Sequence, residues 1–302
     1  MAGKKPARKK KGGKTRYFRW FLCGLLLLSL AAAVFLGFLR PATVKTLSSR
    51  LAALTDKPAT LFEEPMLPPA PSPPPLKSPP LPVKEARLSI VIDDMGYKDK
   101  VCTDLIALDL NLSFAFLPSG PNTKGQIDQA HRLKRDILLH LPMEPRDSKW
   151  SPGPGALSTS MSDRDIQTTV AMAIAAVPHA VGVNNHMGSR FTENRDSMLV
   201  CLTFLKQRHL FFLDSVTSAD SVGYGMARQM ALATARRDIF IDNSQTPEDI
   251  KTQLGNLIEL AEKRGSAIGI GHPHQATLDA LRQYQTELRE KARLVGVSRL
   301  VK

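Results

Sequence analysis

From Leu88 onward, short apolar runs alternate with longer amphipathic ones, and no other feature of the chain narrows its fold so far. The apolar runs read as buried strands at 88–92, 112–117, 137–141, 180–184, 210–213, 238–241, 266–270 and 293–298. Segments with helical periodicity lie between them, near 98–108, 122–135, 163–177, 194–207, 223–236, 247–263 and 275–291. Thr246-Pro247-Glu248 supplies an N-cap with proline at the first helical position, and Gly265 follows the last turn of that helix. Such alternation means βα units on a mostly parallel sheet. Seven or eight units in about 215 residues suit a closed or nearly closed barrel, with an open doubly wound sheet as the alternative. The stretch 142–162 has no clear element, and a loop of that length is either functional or an irregular surface excursion.

The remainder of the chain is organised around a membrane. Residues 1–20 hold nine Lys/Arg and no acid, and Phe21 to Leu39 follow as nineteen uncharged residues closed by Arg40. That run is about long enough to cross a bilayer core, and the basic flank sets its N-terminal end inside. The expected organisation is a basic cytoplasmic tail (1–20), a transmembrane helix (21–39), a linker (40–84) and a soluble domain (85–302) in the periplasm or outside. A cleaved signal peptide, with Ala31-Ala32-Ala33 as small residues, is the rival. The apolar run is longer than a usual signal core, which favours an uncleaved anchor in the inner membrane. Ten prolines between Pro65 and Pro82 make the linker a semi-rigid spacer. The net charge of +13 belongs to the N-terminal region, because 85–302 holds 26 basic and 25 acidic residues. The electrostatic footprint of a nucleic-acid binder is therefore missing from the expected domain. Of the three cysteines, Cys23 lies in the apolar span, and Cys102 and Cys201 fall on expected helices, where buried thiols or a disulfide are both open.

Chemistry gathers at the strand ends. The first strand ends in Asp93 and Asp94, the third in His140 with Glu144 four residues on, and the fourth in Asn184-Asn185-His186. Later runs end in Asp214, in Asp242, and in His272-Pro273-His274. In a parallel sheet all of these lie on one face, where α/β folds carry their sites. Each also has a plainer role. A histidine after a strand is commonly a hydrogen-bonded loop residue, and an aspartate commonly caps the next helix. Asp242, followed by Asn243 and Ser244, is assigned to such a turn. Asp94, His140 and His186 form a set of one carboxylate and two imidazoles that suits Zn²⁺ or another first-row divalent metal with open positions. Glu144 is an alternative ligand or an outer carboxylate supporting one.

The segments Ile92-Asp93-Asp94, His140-Leu141-Pro142-Met143-Glu144, Asn184 to Arg190, Leu213-Asp214-Ser215 and Gly271-His272-Pro273-His274 resemble the divergent polysaccharide deacetylase family, over roughly 86–302. The resemblance implies a distorted (β/α)7-type barrel with a metal at the strand ends. It implies Asp93 as catalytic base, Asp94 as metal ligand, Asp214 as the acid that orients the base, and His272 as general acid. Active relatives carry two metal-binding histidines four apart. Here the matching pair is His140 and Glu144, and 185–190 departs from the relatives' third motif. A membrane-anchored, metal-dependent hydrolase acting on an acylated cell-envelope polysaccharide is the first expectation. A catalytically inactive glycan- or partner-binding protein on the same barrel is the alternative. A metal phosphoesterase ranks lower for want of a Gly-rich phosphate cradle.

Overall fold

A computed structural model of the chain describes residues 86–302. The expected basic tail, apolar span and Pro-rich linker lie outside the described residues. Among the described residues no helix is long and apolar enough to cross a membrane.

The strands are β1 (Arg87–Met95), β2 (Ser113–Phe116), β3 (Ile137–Met143), β4 (Gly182–Met187), β5 (Phe211–Asp214), β6 (Thr234–Arg236), β7 (Ile239–Phe240), β8 (Ser266–Gly271) and β9 (Arg293–Leu294). Their order is β6-β5-β4-β3-β2-β1-β8-β7, every pairing is parallel, and β9 pairs the start of β1. The helices are α1 (Lys100–Ala107), α2 (Thr123–Arg132), α3 (Asp163–Ala176), α4 (Arg195–Gln207), α5 (Gly223–Gln229), α6 (Pro247–Arg264), α7 (Gln275–Gln283) and α8 (Gln285–Lys291). α6 begins as its sequence demands: Thr246 accepts from the Asp249 amide, Pro247 opens the first turn, and Gly265 ends it at φ 81°.

Two hydrophobic clusters sort the strand residues by parity. Ile90, Ile92, Leu139, Val183, Phe212 and Ile241 pack outward against the helices. Their neighbours Val91, Leu138, Leu213, Phe240, Ile268 and Ile270 face a second, inner cluster. A parallel sheet with helices on one face and its own side chains on the other is a barrel wall, of the expected (β/α)7 type. β6 and β7 stand at opposite ends of the strand order and do not pair. The connection between them crosses this seam in two residues: the Arg237 amide donates to Asp214 O, and the Asp238 amide to Ile268 O, each at 2.9 Å. The C-terminal segment closes the barrel floor. Val295, Val297 and Leu300 join the inner cluster, and Thr234 and Lys302 exchange backbone hydrogen bonds of 3.0 and 3.1 Å.

Three expected elements change. The helix expected over 223–236 ends at Gln229, and its remainder forms β6, because Thr234 and Ala235 pair with Phe212 and Leu213. The helix expected over 275–291 divides at Tyr284. The strand expected over 293–298 is two residues long and gives way to a 3-10 turn at Val297–Arg299. Within 142–162, β3 continues to Met143, and one bridge from Met143 to Leu157 ties the loop back to the strand. Cys102 and Cys201 are fully buried on α1 and α4 and unpaired. Burial pushes their thiols up to about 11 and about 12, so they remain protonated packing groups.

Candidate metal and proton-transfer site

Adjacent residues on a regular strand point to opposite faces, so Asp93 and Asp94 should not meet at one site. A bulge in β1 lets them. Ile92 is opposite Phe114, but Met95 is opposite Phe116, so β1 carries one extra residue over the two aspartates. Asp94 takes φ 51°, a conformation costly for most side chains but tolerated by aspartate, and Gly96 follows at φ 111°. Asp93 keeps the inward parity of Val91, and the bulge swings Asp94 to the same rim.

His140 shares the inward parity of Leu138. Register places Asn184 opposite His140 and His186 opposite Pro142 on the neighbouring strand. The outcome is a compact triangle: Asp94 Oδ1 lies 2.9 Å from His186 Nδ1 and 3.1 Å from His140 Nε2, and the two nitrogens are 3.1 Å apart. The three atoms come from three strands of the wall, Asp94 and His186 near the ends of β1 and β4 and His140 in the middle of β3.

Asn184 joins this triangle to Asp93. Its Nδ2 donates to both Asp93 oxygens, at 2.8 and 2.9 Å, and approaches Ser215 Oγ at 3.2 Å. That orientation turns Asn184 Oδ1 toward His140 Nδ1, at 2.9 Å. An amide oxygen only accepts, so His140 carries a proton on Nδ1. In the neutral ring Nε2 is then bare and faces the Asp94 carboxylate. A second proton on His140 or a cation relieves that contact. A divalent first-row metal fits the donor set, since ligands about 2.0–2.2 Å from a tetrahedral ion sit about 3.3 Å from one another.

The charges divide by depth. Burial raises the pKa of Asp93, against the opposing pull of His140 and His272. Burial would raise Asp94 also, but His186 and His140 together hold its carboxyl well below the usual carboxylate range. Burial works against protonation of His140, while the charges of Asp93 and Asp94 raise its proton affinity.

A second group stands on the other side of Asp93. His272 Nδ1 donates to Asp242 Oδ1 at 3.0 Å, and Asp242 Oδ2 accepts from the His272 amide at 2.6 Å and Thr277 Oγ1 at 2.7 Å. Burial alone would lower the His272 pKa, yet Asp242, with Asp94 and Asp93 beyond it, pushes it up to about 10. His274 Nδ1 lies 3.3 Å from Lys98 Nζ at the rim.

Two sequence expectations are corrected here. Asp214, expected to orient the base, follows inward Leu213 and so leaves the barrel interior; it accepts from the Val216 and Tyr224 amides and from Ser221 Oγ. The carboxylate on His272 is instead Asp242, which the sequence assigns to a turn and which shares the inward parity of Phe240. Glu144 turns away from the triangle. Its Oε2 accepts from Thr159 N at 2.7 Å, Thr159 Oγ1 at 2.8 Å and Ser158 Oγ at 3.1 Å, tying down the 142–162 loop. The sequence places Asn184 at a strand end and Ser215 in a matched segment but gives neither a role, because the partners that define those roles lie on other strands.

Residues 90–301 match the sequence profile of the family described as divergent polysaccharide deacetylase. The chain is 37% identical over 220 residues to the uncharacterized protein YibQ of Escherichia coli K12, covering 73% of this chain and 69% of that one. It is also 37% identical over 216 residues to an uncharacterized protein of Haemophilus influenzae, covering 72% and 77%. The crystal structure of uncharacterized protein ATU2773 from Agrobacterium tumefaciens C58 superposes with a TM-score of 0.70 at 26% identity, covering 74% of this chain and 92% of that one.

Proposed function

Because the chain belongs to the divergent polysaccharide deacetylase family, we propose that it is a metal-dependent hydrolase that removes an acyl group from a cell-envelope carbohydrate. The observation that carries this is the convergence of Asp94 Oδ1, His140 Nε2 and His186 Nδ1 within 3.1 Å of one another beside a buried carboxylate. Asp94, His140 and His186 would hold a divalent ion, with Zn²⁺ the first candidate, and such an ion would supply a water of lowered pKa and Lewis acidity for the acyl carbonyl.

The side chains around it divide the proton work. Asp93 takes the proton of the attacking water, and its raised pKa brings it closer to the neutral range in which a general base is most effective. Asn184 holds both Asp93 oxygens and so fixes the face the base presents. His272 gives a proton to the departing oxygen or nitrogen from Nε2, while Asp242 holds the ring through Nδ1. Glu144, standing where active relatives carry a second histidine, costs the site no ligand, because His186 on β4 brings the second imidazole to His140. That favours hydrolysis over a purely binding role on the same barrel.

Residues 21–39 anchor the chain in the inner membrane, and 40–84 hold the domain out toward the envelope glycan. The test is acetate release from O- and N-acetylated glycans by the metal-loaded protein. Asp93→Asn should retain the metal and turn over about 100- to 10,000-fold more slowly. A variant as fast as wild type would remove Asp93 from the mechanism.

A further inference from the structure

Arg237 occupies the seam where the barrel wall is not laddered, between β6 and β7. Its Nε donates to Ser215 O at 2.7 Å and one Nη2 proton to Val216 O at 3.0 Å. Its guanidinium lies over the Phe240 ring, 3.7 Å from the centroid, and the same ring stacks on His272. The group is therefore half-buried, fixed in orientation and lodged between Ser215, which touches Asn184, and the His272 side of the site. Its charge interacts with Asp93 as well as with Asp214 and Asp238.

Arginine has five N–H donors, and two are accounted for. The remaining Nη1 protons and second Nη2 proton have no acceptor among the described residues, and Arg237 makes no ion pair among them. Those donors are left for water or for a ligand, and a half-buried cation keeps fewer waters than an exposed one. Partial burial pushes the guanidinium down to about 10, against the opposing pull of Asp214, Asp238 and Asp93. Exposed Arg146, by contrast, pairs with Glu193 at 2.5 Å although water already solvates it.

We propose that Arg237 is the specificity residue of this site, holding in its remaining donors a carboxylate or phosphate group carried by the glycan, so that the substrate is an acidic carbohydrate. The proposal rests on reading the site as a carbohydrate hydrolase. A planar guanidinium pinned along one edge presents its other edge as a fork, the geometry that takes a carboxylate or phosphate in paired hydrogen bonds. Phe240 adds an apolar wall beside it. The metal triangle then acts on the acyl group, and the anionic substituent sets which sugar is turned toward Asp93.

The test is anion binding to the full chain stripped of metal, so that no anion rides on a cation at Asp94. Glucuronate, glucose 6-phosphate and neutral glucose are titrated at fixed ionic strength and followed by thermal shift. Wild type should bind at least one of the anions and prefer it to glucose. Glucuronate alone would name a uronic acid, and the phosphate alone a phosphorylated sugar. Arg237→Gln should weaken the preferred anion by about tenfold or more, the loss of a charge-assisted pair. Because Arg237→Gln also loses two backbone contacts, Arg237→Lys is measured beside it, and it should keep more anion affinity than the glutamine variant. Arg190→Gln, altering a charge on the exposed rim, should bind as wild type. The proposal is overturned if no anion is preferred to glucose, or if both Arg237 variants bind as wild type does. Metal content of the same preparation before stripping reports separately on the hydrolase reading, so the two can fail independently.

Discussion

Asp94 and Asp242 both end a strand and both carry an imidazole, but the hydrogens around them differ. Asp242 accepts from a backbone amide, a threonine hydroxyl and His272 Nδ1, so its oxygens are occupied by protons from the protein itself. Asp94 Oδ1 is buried, receives no well-formed hydrogen bond, and faces two ring nitrogens, one of them bare in the neutral ring because of Asn184. A carboxylate surrounded by donors stores a proton on its neighbouring histidine. A carboxylate facing a ring lone pair asks for a cation. The residue types, one acid and two histidines in each group, do not distinguish these outcomes. The second-layer donors do.

The comparison breaks most sharply on metal content. Asp94→Ala should abolish stoichiometric metal in protein purified without chelator, whereas Asp242→Asn should leave it intact, as read by elemental analysis. Metal loss in Asp242→Asn instead would move the ion to the wrong cluster. Asn184→Ala should weaken the metal by about 10- to 100-fold, the usual consequence of losing a group that orients a ligand; a competitive chelator titration measures it.

The smallest effect is on pH dependence. In metal-free protein His272 should titrate near 10, and Asp242→Asn should return it toward the ordinary imidazole range, as imidazole NMR reports. The sign follows from the raised value. The stabilisation from protonated His272 is complete below the unfolded histidine value of about 6.5 and is lost as pH rises through about 10. The depressed Asp242 carboxyl contributes the opposite limb, present above the unfolded aspartate value and lost as pH falls through its folded value. Denaturant unfolding from pH 6 to 10.5 should therefore show wild type losing stability more steeply than Asp242→Asn does.

Much of this was legible before the fold was known. Strand identity and the gathering of Asp93, Asp94, His140, His186 and His272 at strand ends follow from apolar runs that stop at polar residues. Parity did not, because deciding which of Leu213 or Asp214 faces inward needs the neighbouring register. That one-residue ambiguity separates Asp214 from Asp242. The bulge at Asp93–Asp94 is likewise a property of pairing between β1 and β2. β6 hid inside Ala231 to Arg236 because alanine and arginine favour helices, and only the edge of β5 makes that stretch a strand. The segment turns at Ala231, at φ 51°, without the glycine that would have announced it.

The topology also governs when this domain can come into being. β1 completes its hydrogen bonding only with β8 and β9, and Arg87 waits for Ser266 and Arg293. At about 5–20 residues per second, a ribosome leaves that strand without those partners for on the order of ten seconds or more. Leu88, Ile90, Val91 and Ile92, all fully buried in the finished wall, lack that cover throughout the interval. Pairing across such sequence distance is slow to nucleate, so the emerging chain is open to wrong contacts until β8 and β9 arrive. The strand that carries both aspartates is thus the first to be made and among the last to be secured.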